Sequence, residues 1–266
     1  MEKKYKSTAV VVGGSSGIGC ETCLRLANRG WNVINVSRTP CKSAKVKRVI
    51  ADVVAGSTFT DAISTVGKKY GIDVLVYCAG FSMAAPIEYA KESDYRYLFD
   101  VNFFGALKAM QAVIPFMKDR GGRIVLVGSI GGDVPIMFDA FYSASKAALE
   151  MLVREAYCEL KPYNIKVTAF LPGGTATGFT FKRKVYSDDE NKSYASNLNR
   201  AVAALADMEQ KGMSPAEVAE DIYAVLISDK PPVVKACGFK NSAYRIMSHV
   251  MPEKVTLYFN DRAYRQ

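Results

Sequence analysis

The chain alternates between short apolar runs suited to buried strands and longer stretches with helical spacing. Thr8 to Val12 is an unbroken, β-branched run, the pattern of a parallel strand covered on both faces. Similar runs follow at Trp31 to Val36, Val46 to Ala51, Ile72 to Tyr77, Arg123 to Val127 and Ile165 to Phe170, with a short one near Val233 to Ala236. Helical stretches are predicted from the glycines near position 17 to about Arg29, from about Ser57 to Lys69, and over Leu98 to Met117. From Tyr142 onward, Ala144, Ala147, Ala148, Met151, Leu152, Ala156 and Leu160 recur at three and four until Pro162 stops the pattern. Ser214-Pro215-Ala216-Glu217 is a capping box with proline at the first helical position, opening a helix to about Ile227. One or two helical segments are predicted from Asn241 onward. Strand and helix alternate throughout, which predicts an α/β fold, a doubly wound parallel sheet with helices on both faces. There are no internal repeats or low-complexity tracts, so residues 1–266 are read as one domain.

Composition changes this picture little. Apolar residues make up 49% and charged residues 23%, ordinary for a globular protein. Leu98 to Met117 contains Asp100, Asn102, Lys108, Gln111 and Pro115, which argues for a core or interface helix and against a membrane span. The first apolar run ends at Val12 and turns straight into glycines, so a strand is expected there rather than a signal peptide. Six scattered cysteines show no disulfide-framework spacing, which suggests a reducing, cytoplasmic setting. Cys20 and Cys23 are expected to pack their helix. With one histidine and no second cysteine pair, no metal site is expected. The net charge of +9 comes without a long basic block or interleaved aromatics, so a basic surface and an anionic cofactor are expected rather than nucleic acid.

Candidate chemistry concentrates in two places. After the first strand comes Gly13-Gly14-Ser15-Ser16-Gly17-Ile18-Gly19, then a helix. Gly13 permits a tight turn, Gly17 lets backbone approach a pyrophosphate, and Gly19 permits close helix–strand packing, with the phosphates at the helix N-terminus. That is a dinucleotide-binding, Rossmann-type arrangement. The second strand ends in Ser37-Arg38, and no Asp or Glu lies between Glu21 and Asp52. An acid there would hold the ribose 2′-hydroxyl of NAD(H); an arginine suits a 2′-phosphate, so NADP(H) is favoured over NAD(H). The second place is Tyr142 and Lys146, four apart on one helix face, with Ser129 thirteen residues upstream. A free tyrosine has a pKa of about 10. Lowering it by roughly 3 units takes about 4 kcal/mol of preference for the phenolate, and a neighbouring ammonium is one source.

These motifs resemble those of the short-chain dehydrogenase/reductase family from about Ser7 to Leu226. The resemblance implies a catalytic trio of Ser129, Tyr142 and Lys146, with Asn102 holding a water in a proton relay. It places Asp52 and Val53 against the adenine ring, and Pro172, Gly173, Thr175 and Thr177 against the nicotinamide amide and phosphates. Two departures are Val12, where threonine is usual, and Cys78 of Cys78-Ala79-Gly80, where asparagine is usual. Ala79 and Gly80 still leave room for the cofactor. By the same resemblance, about 179–213 forms a mobile substrate lid, about 237–266 an extended tail, and a homodimer or homotetramer pairs through the helices near Leu98 to Met117 and Tyr142 to Leu160. The texture from Val101 through Thr177, with that tail, is most similar to the 17β-hydroxysteroid-dehydrogenase-like group. Near the nicotinamide end the pocket is expected to include Met83, Ile136, Phe138 and Phe179, with Asp133 and Asp139 the nearest charges. So apolar a slot suits a hydrophobic ketone or alcohol of steroid, bile-acid or lipid size. Reduction of small ketones or fatty-acyl substrates, and a non-catalytic NADP-binding sensor, remain the alternatives.

Overall fold

A computed structural model describes residues 7–265. The elements follow in the order β1 (Thr8–Val12), α1 (Gly17–Asn28), β2 (Asn32–Val36), β3 (Lys47–Val49), α2 (Ser57–Tyr70), β4 (Val74–Tyr77), β5 (Met83–Ala84), α3 (Glu92–Phe99), α4 (Gly105–Met117), β6 (Gly122–Val127) and α5 (Ala140–Leu160). The second half holds β7 (Ile165–Leu171), β8 (Lys184–Val185), α6 (Asp188–Asn191), α7 (Ala195–Gln210), α8 (Pro215–Ile227), β9 (Val234–Ala236), α9 (Gly238–Val250) and α10 (Glu253–Arg265). Seven strands pair in parallel in the order β3-β2-β1-β4-β6-β7-β9. The chain runs outward from β1 to β3, then returns to β4 on the other side of β1. In such sheets the crevice for ligands opens at that reversal, outside the carboxyl ends of the strands.

Both faces of the sheet are covered, which is why its strands read as unbroken apolar runs. Along β1, Val10 and Val12 join a core with Ile63 of α2, Val113 of α4 and Leu149 of α5. Ala9 and Val11 point the other way, toward Cys23 and Leu26 of α1 and Ile222 of α8. The expected third strand shrinks to Lys47–Val49, since β3 is an edge that pairs with β2 alone. Ser214 caps α8 as its sequence suggests, accepting from the Glu217 backbone N–H.

Three features were not expected. The long helix is continuous from α3 to α4 but passes through a π-helical turn at Asp100–Phe104, which inserts an extra residue and turns Asn102 into the core. The buried Tyr77 hydroxyl donates to the Val101 carbonyl in that turn at 2.5 Å. Second, β5 and β8 form a separate two-stranded parallel sheet, too short for any periodicity to reveal. Third, the lid segment is folded rather than loose. Its Arg183 is buried, donating from Nε to Ser82 Oγ at 2.7 Å and from Nη2 to Glu209 Oε1 of α7 at 2.5 Å. A charged group so placed stays only because it is paired and hydrogen-bonded.

Tyr77→Phe removes the donor that satisfies the Val101 carbonyl and leaves that acceptor buried. A stability loss of about 1–3 kcal/mol is expected in urea unfolding. No loss would show that the π-turn does not depend on this bond.

Candidate active site

The glycine loop is built so that other backbone can come close. Gly13 lies at φ 81°, and a Cβ there would stand 2.7 Å from the Ala79 amide nitrogen. A Cβ on Gly19 would stand 2.4 Å from the Gly13 carbonyl oxygen, so Gly19 lies beneath the loop as a packing contact. Gly17, at φ 53°, faces Thr177 across from the β7 loop. The first turn of α1 carries no acidic residue, so its free N–H groups are available to an anion.

From this loop a cavity of about 1540 Å³ runs along the carboxyl ends of the strands. One end is walled by Ser15, Ser16, Gly17, Ile18, Ser37, Arg38, Asp52 and Val53, and the middle by Ala79, Gly80, Pro172, Gly173, Thr175 and Thr177. Arg38 is 72% exposed, with its guanidinium 3.8 Å from Asp52, so it is largely free to meet a ligand. The residues fit an elongated dinucleotide: anion-accepting backbone amides in the centre, a cation at one end, and at the other a hydroxyl, a phenol and an ammonium.

Those three groups are Ser129, Tyr142 and Lys146, all buried and all on the cavity wall. Ser129 lies two residues past β6 and caps a short 3-10 turn, its Oγ accepting from the Gly131 N–H at 3.0 Å. The Ser129 side chain also hydrogen-bonds the Tyr142 phenol and favours its phenolate. Burial outweighs this and pushes the Tyr142 phenol well above the usual tyrosine range, with Asp139 and Glu209 adding to the effect. Lys146 Nζ stands 5.6 Å from the Tyr142 ring centroid and donates to the Val127 carbonyl at 2.9 Å. Burial pulls its ammonium down to about 8. The expected depression of the tyrosine pKa by the lysine charge is therefore absent, because both groups share one poorly hydrated wall and desolvation dominates.

Asn102 divides its carboxamide between neighbours. Its Oδ1 accepts from the Phe81 N–H at 3.1 Å, and its Nδ2 donates to the Phe81 carbonyl at 3.0 Å and to Ser145 Oγ at 3.1 Å. It thus fixes the Gly80–Phe81 wall against α5. Ile136 and Phe179 line the cavity, and the Phe179 ring lies 5.9 Å from that of Tyr142. Met83 and Phe138 do not. Met83 is wholly buried among Leu98, Tyr142 and Tyr186, because β5 turns it into a small core. Phe138 adopts φ 62° and packs its ring edge-on against Tyr194, off the cavity.

The family model for short chain dehydrogenase matches residues 7–187. The chain belongs to this family. It is an NAD(P)-dependent oxidoreductase. A 3-ketodihydrosphingosine reductase from Bacteroides thetaiotaomicron is 32% identical over 227 residues, covering 84% of each chain. The NADPH-dependent 1-acyldihydroxyacetone phosphate reductase of Saccharomyces cerevisiae is 30% identical over 253 residues, covering 88% of this chain and 82% of that one. Among solved structures, a short-chain dehydrogenase from Streptomyces avermitilis superposes with a TM-score of 0.79 at 25% identity, covering 99% and 98% of the two chains.

Against the family pattern, the Cys78 thiol is held neutral, pushed up to about 12 by burial. Val12, the other departure, is wholly buried in the β1 core. Several residues in and around the cavity have roles that the sequence reading did not assign. Asp139, one turn before Tyr142, is pushed up to about 7 by burial and accepts from the Met83 N–H, joining Arg183 and Glu209 in a buried charge cluster. Asp139 was expected only as one of the charges nearest the pocket, and nothing local marked Glu209. Lys182 of the lid brings Nζ to 3.5 Å from Ser16 Oγ. Cys20 does more than pack its helix: its Sγ lies 3.2 Å from that of Cys41, just beyond Arg38. Donation from Cys23 pulls the Cys41 thiol down to about 5.

Lys146 gives a pH signature. Its folded-state pKa, about 8, lies below the ordinary 10.5, so the unfolded chain binds the proton more tightly. Stability should therefore rise with pH between about 8 and 10.5 and be lost on going back down through that window. Lys146→Met should flatten this slope in thermal unfolding; identical slopes would show the ammonium to be well hydrated.

Proposed function

We propose that this enzyme is an NADP(H)-dependent reductase of a hydrophobic, lipid-sized ketone. The observation that carries the reading is the buried Tyr142 phenol, held protonated beside the Ser129 hydroxyl where the dinucleotide cradle meets an apolar pocket. A bound nicotinamide cofactor would supply the hydride to the carbonyl carbon. The carbonyl oxygen would sit between Ser129 and Tyr142. Ser129, whose Oγ already accepts from Gly131, donates its proton in a hydrogen bond to the oxygen as negative charge develops there. Tyr142 transfers the phenol proton to that oxygen, completing the alcohol. A phenol that stays protonated through the neutral range carries the proton that reduction consumes, whereas oxidation would first need its phenolate. Lys146 holds the nicotinamide ribose and returns positive charge to the site as Tyr142 loses its proton. Asn102 acts through its grip on Phe81 and Ser145. Pairing into a homodimer or homotetramer would cover the exposed Phe104 of the π-helical turn and Met151 and Tyr157 of α5.

The cofactor preference rests on Arg38, exposed at the adenosine end with no acid at the end of β2. The yeast relative's name, which includes NADPH, agrees with it. The substrate reading rests on an apolar wall that includes Phe81, Ile136, Phe179, Leu205 and Met208. The steroid-dehydrogenase likeness of the sequence would suit such a wall. The two reductases named above, whose names give a keto lipid and an acylated ketone, favour an acyl-chain ketone.

Tyr142→Phe should lower ketone reduction by roughly 10²- to 10⁴-fold while NADPH binding, followed by its fluorescence, stays unchanged. Near-normal turnover would remove the phenol from the mechanism. The unmutated enzyme should bind NADPH at least about tenfold more tightly than NADH, and Arg38→Asp should abolish that preference. Equal affinity for the two in the parent would contradict the role of Arg38. Catalytic efficiency should be higher on a long-chain ketone than on a small polar one; the reverse ranking would contradict the substrate reading.

A further inference from the structure

Helix α9 is built inside out. Phe239, Ile246, Met247 and Val250 are 87%, 66%, 47% and 79% exposed, and no residue of the helix is buried. With exposed Ala243 they fall at spacings of four, three, one and three, which places them on one face. The opposite face is polar and does the anchoring. Arg245 donates from Nε to Asp133 at 2.5 Å and from Nη2 to Glu150 at 3.0 Å. Asn241 donates to the Cys237 carbonyl at 2.7 Å. A surface helix ordinarily buries its apolar stripe, so a stripe turned outward marks a contact surface. Helix α10 extends it, with Val255, Tyr258 and Phe259 exposed at the same helical spacing.

We propose that this outward surface of α9 and α10 docks on an anionic lipid bilayer. Charge points to that partner. Around the stripe Lys240, Lys254 and Arg262 are exposed against the single exposed acid Glu253, on a chain of net charge +9. A second copy seated on the same patch would bring two surfaces of the same net positive charge together. No helix among the described residues is long and apolar enough to cross a membrane, so the two helices lie in the interface with the apolar side down and the cations at the headgroups. The placement also serves the cavity. Phe239, Lys240 and Phe259 belong both to this surface and to the cavity wall, so the cavity opens where the bilayer would lie. An acyl-chain ketone would enter from the lipid without exposing its chain to water; this last step rests on the proposed substrate, whereas docking does not.

The test is co-sedimentation of the full chain with vesicles of phosphatidylcholine alone or mixed with phosphatidylglycerol. The parent should pellet with the anionic vesicles, less with the neutral ones, and less again as salt rises. The double variant Ile246→Asp, Val250→Asp should bind the anionic vesicles roughly tenfold more weakly or worse, with unchanged turnover of a short, water-soluble ketone. Failure of the parent to pellet, or equal binding by the variant, would overturn the proposal. So would light scattering that shows a parent dimer which the variant dissolves, since the patch would then belong to a second copy. Turnover of the soluble ketone reports separately on the reductase reading.

Discussion

Taking a phenol and an ammonium out of water side by side is the constraint around which this fold is arranged. Tyr142 and Lys146 sit one turn apart on α5, which packs along one face of the sheet and brings its first turns to the carboxyl end of β6. Burial disfavours charge on both, so the tyrosine is kept as an acid and the lysine is drawn toward neutrality. Nearby groups modulate this without reversing it. Ser129 favours the phenolate, while Asp139 and Glu209 oppose it. The site's poise is thus set by how much of it the surrounding elements keep dry.

Those elements are held by bonds far apart in sequence. The π-helical turn brings Asn102 inward, and Tyr77 satisfies the carbonyl that the turn presents to the core. Asn102 then clamps the backbone of Phe81, which fixes the wall opposite Tyr142. On the other side, Arg183 ties the lid segment to Ser82 and to Glu209 of α7. Its charge is offset by Glu209 and Asp139, and the cluster they form sets part of the field on the catalytic phenol.

How much of this could be read in the sequence depends on the range of the interaction. The unbroken apolar strands, the glycine loop and the Tyr142/Lys146 spacing are local patterns, and each reappears in the structure with its ends shifted by a few residues. Arg38 was legible because it follows a strand whose direction the pattern fixes. Met83 and Phe138 were misplaced as pocket residues, since nothing local reports the two-residue strand at Met83–Ala84 or the left-handed backbone at Phe138. Arg183 and Glu209 fall within the segment expected as a lid, and only tertiary packing buries them together. The relation of tyrosine and lysine pKa values was misjudged for a similar reason. Spacing gives the distance between two groups, whereas their hydration depends on everything packed around them.

The most direct test of this account is the ionisation of Tyr142 itself. The ultraviolet phenolate absorbance of the unmutated protein, minus that of Tyr142→Phe, should be followed across a pH titration with no cofactor added. The expected difference is flat through the neutral range, with Tyr142 ionising only above the ordinary tyrosine value of about 10. A phenolate step between about pH 6 and 8 would contradict the claim that burial, rather than the Lys146 charge, governs the catalytic acid.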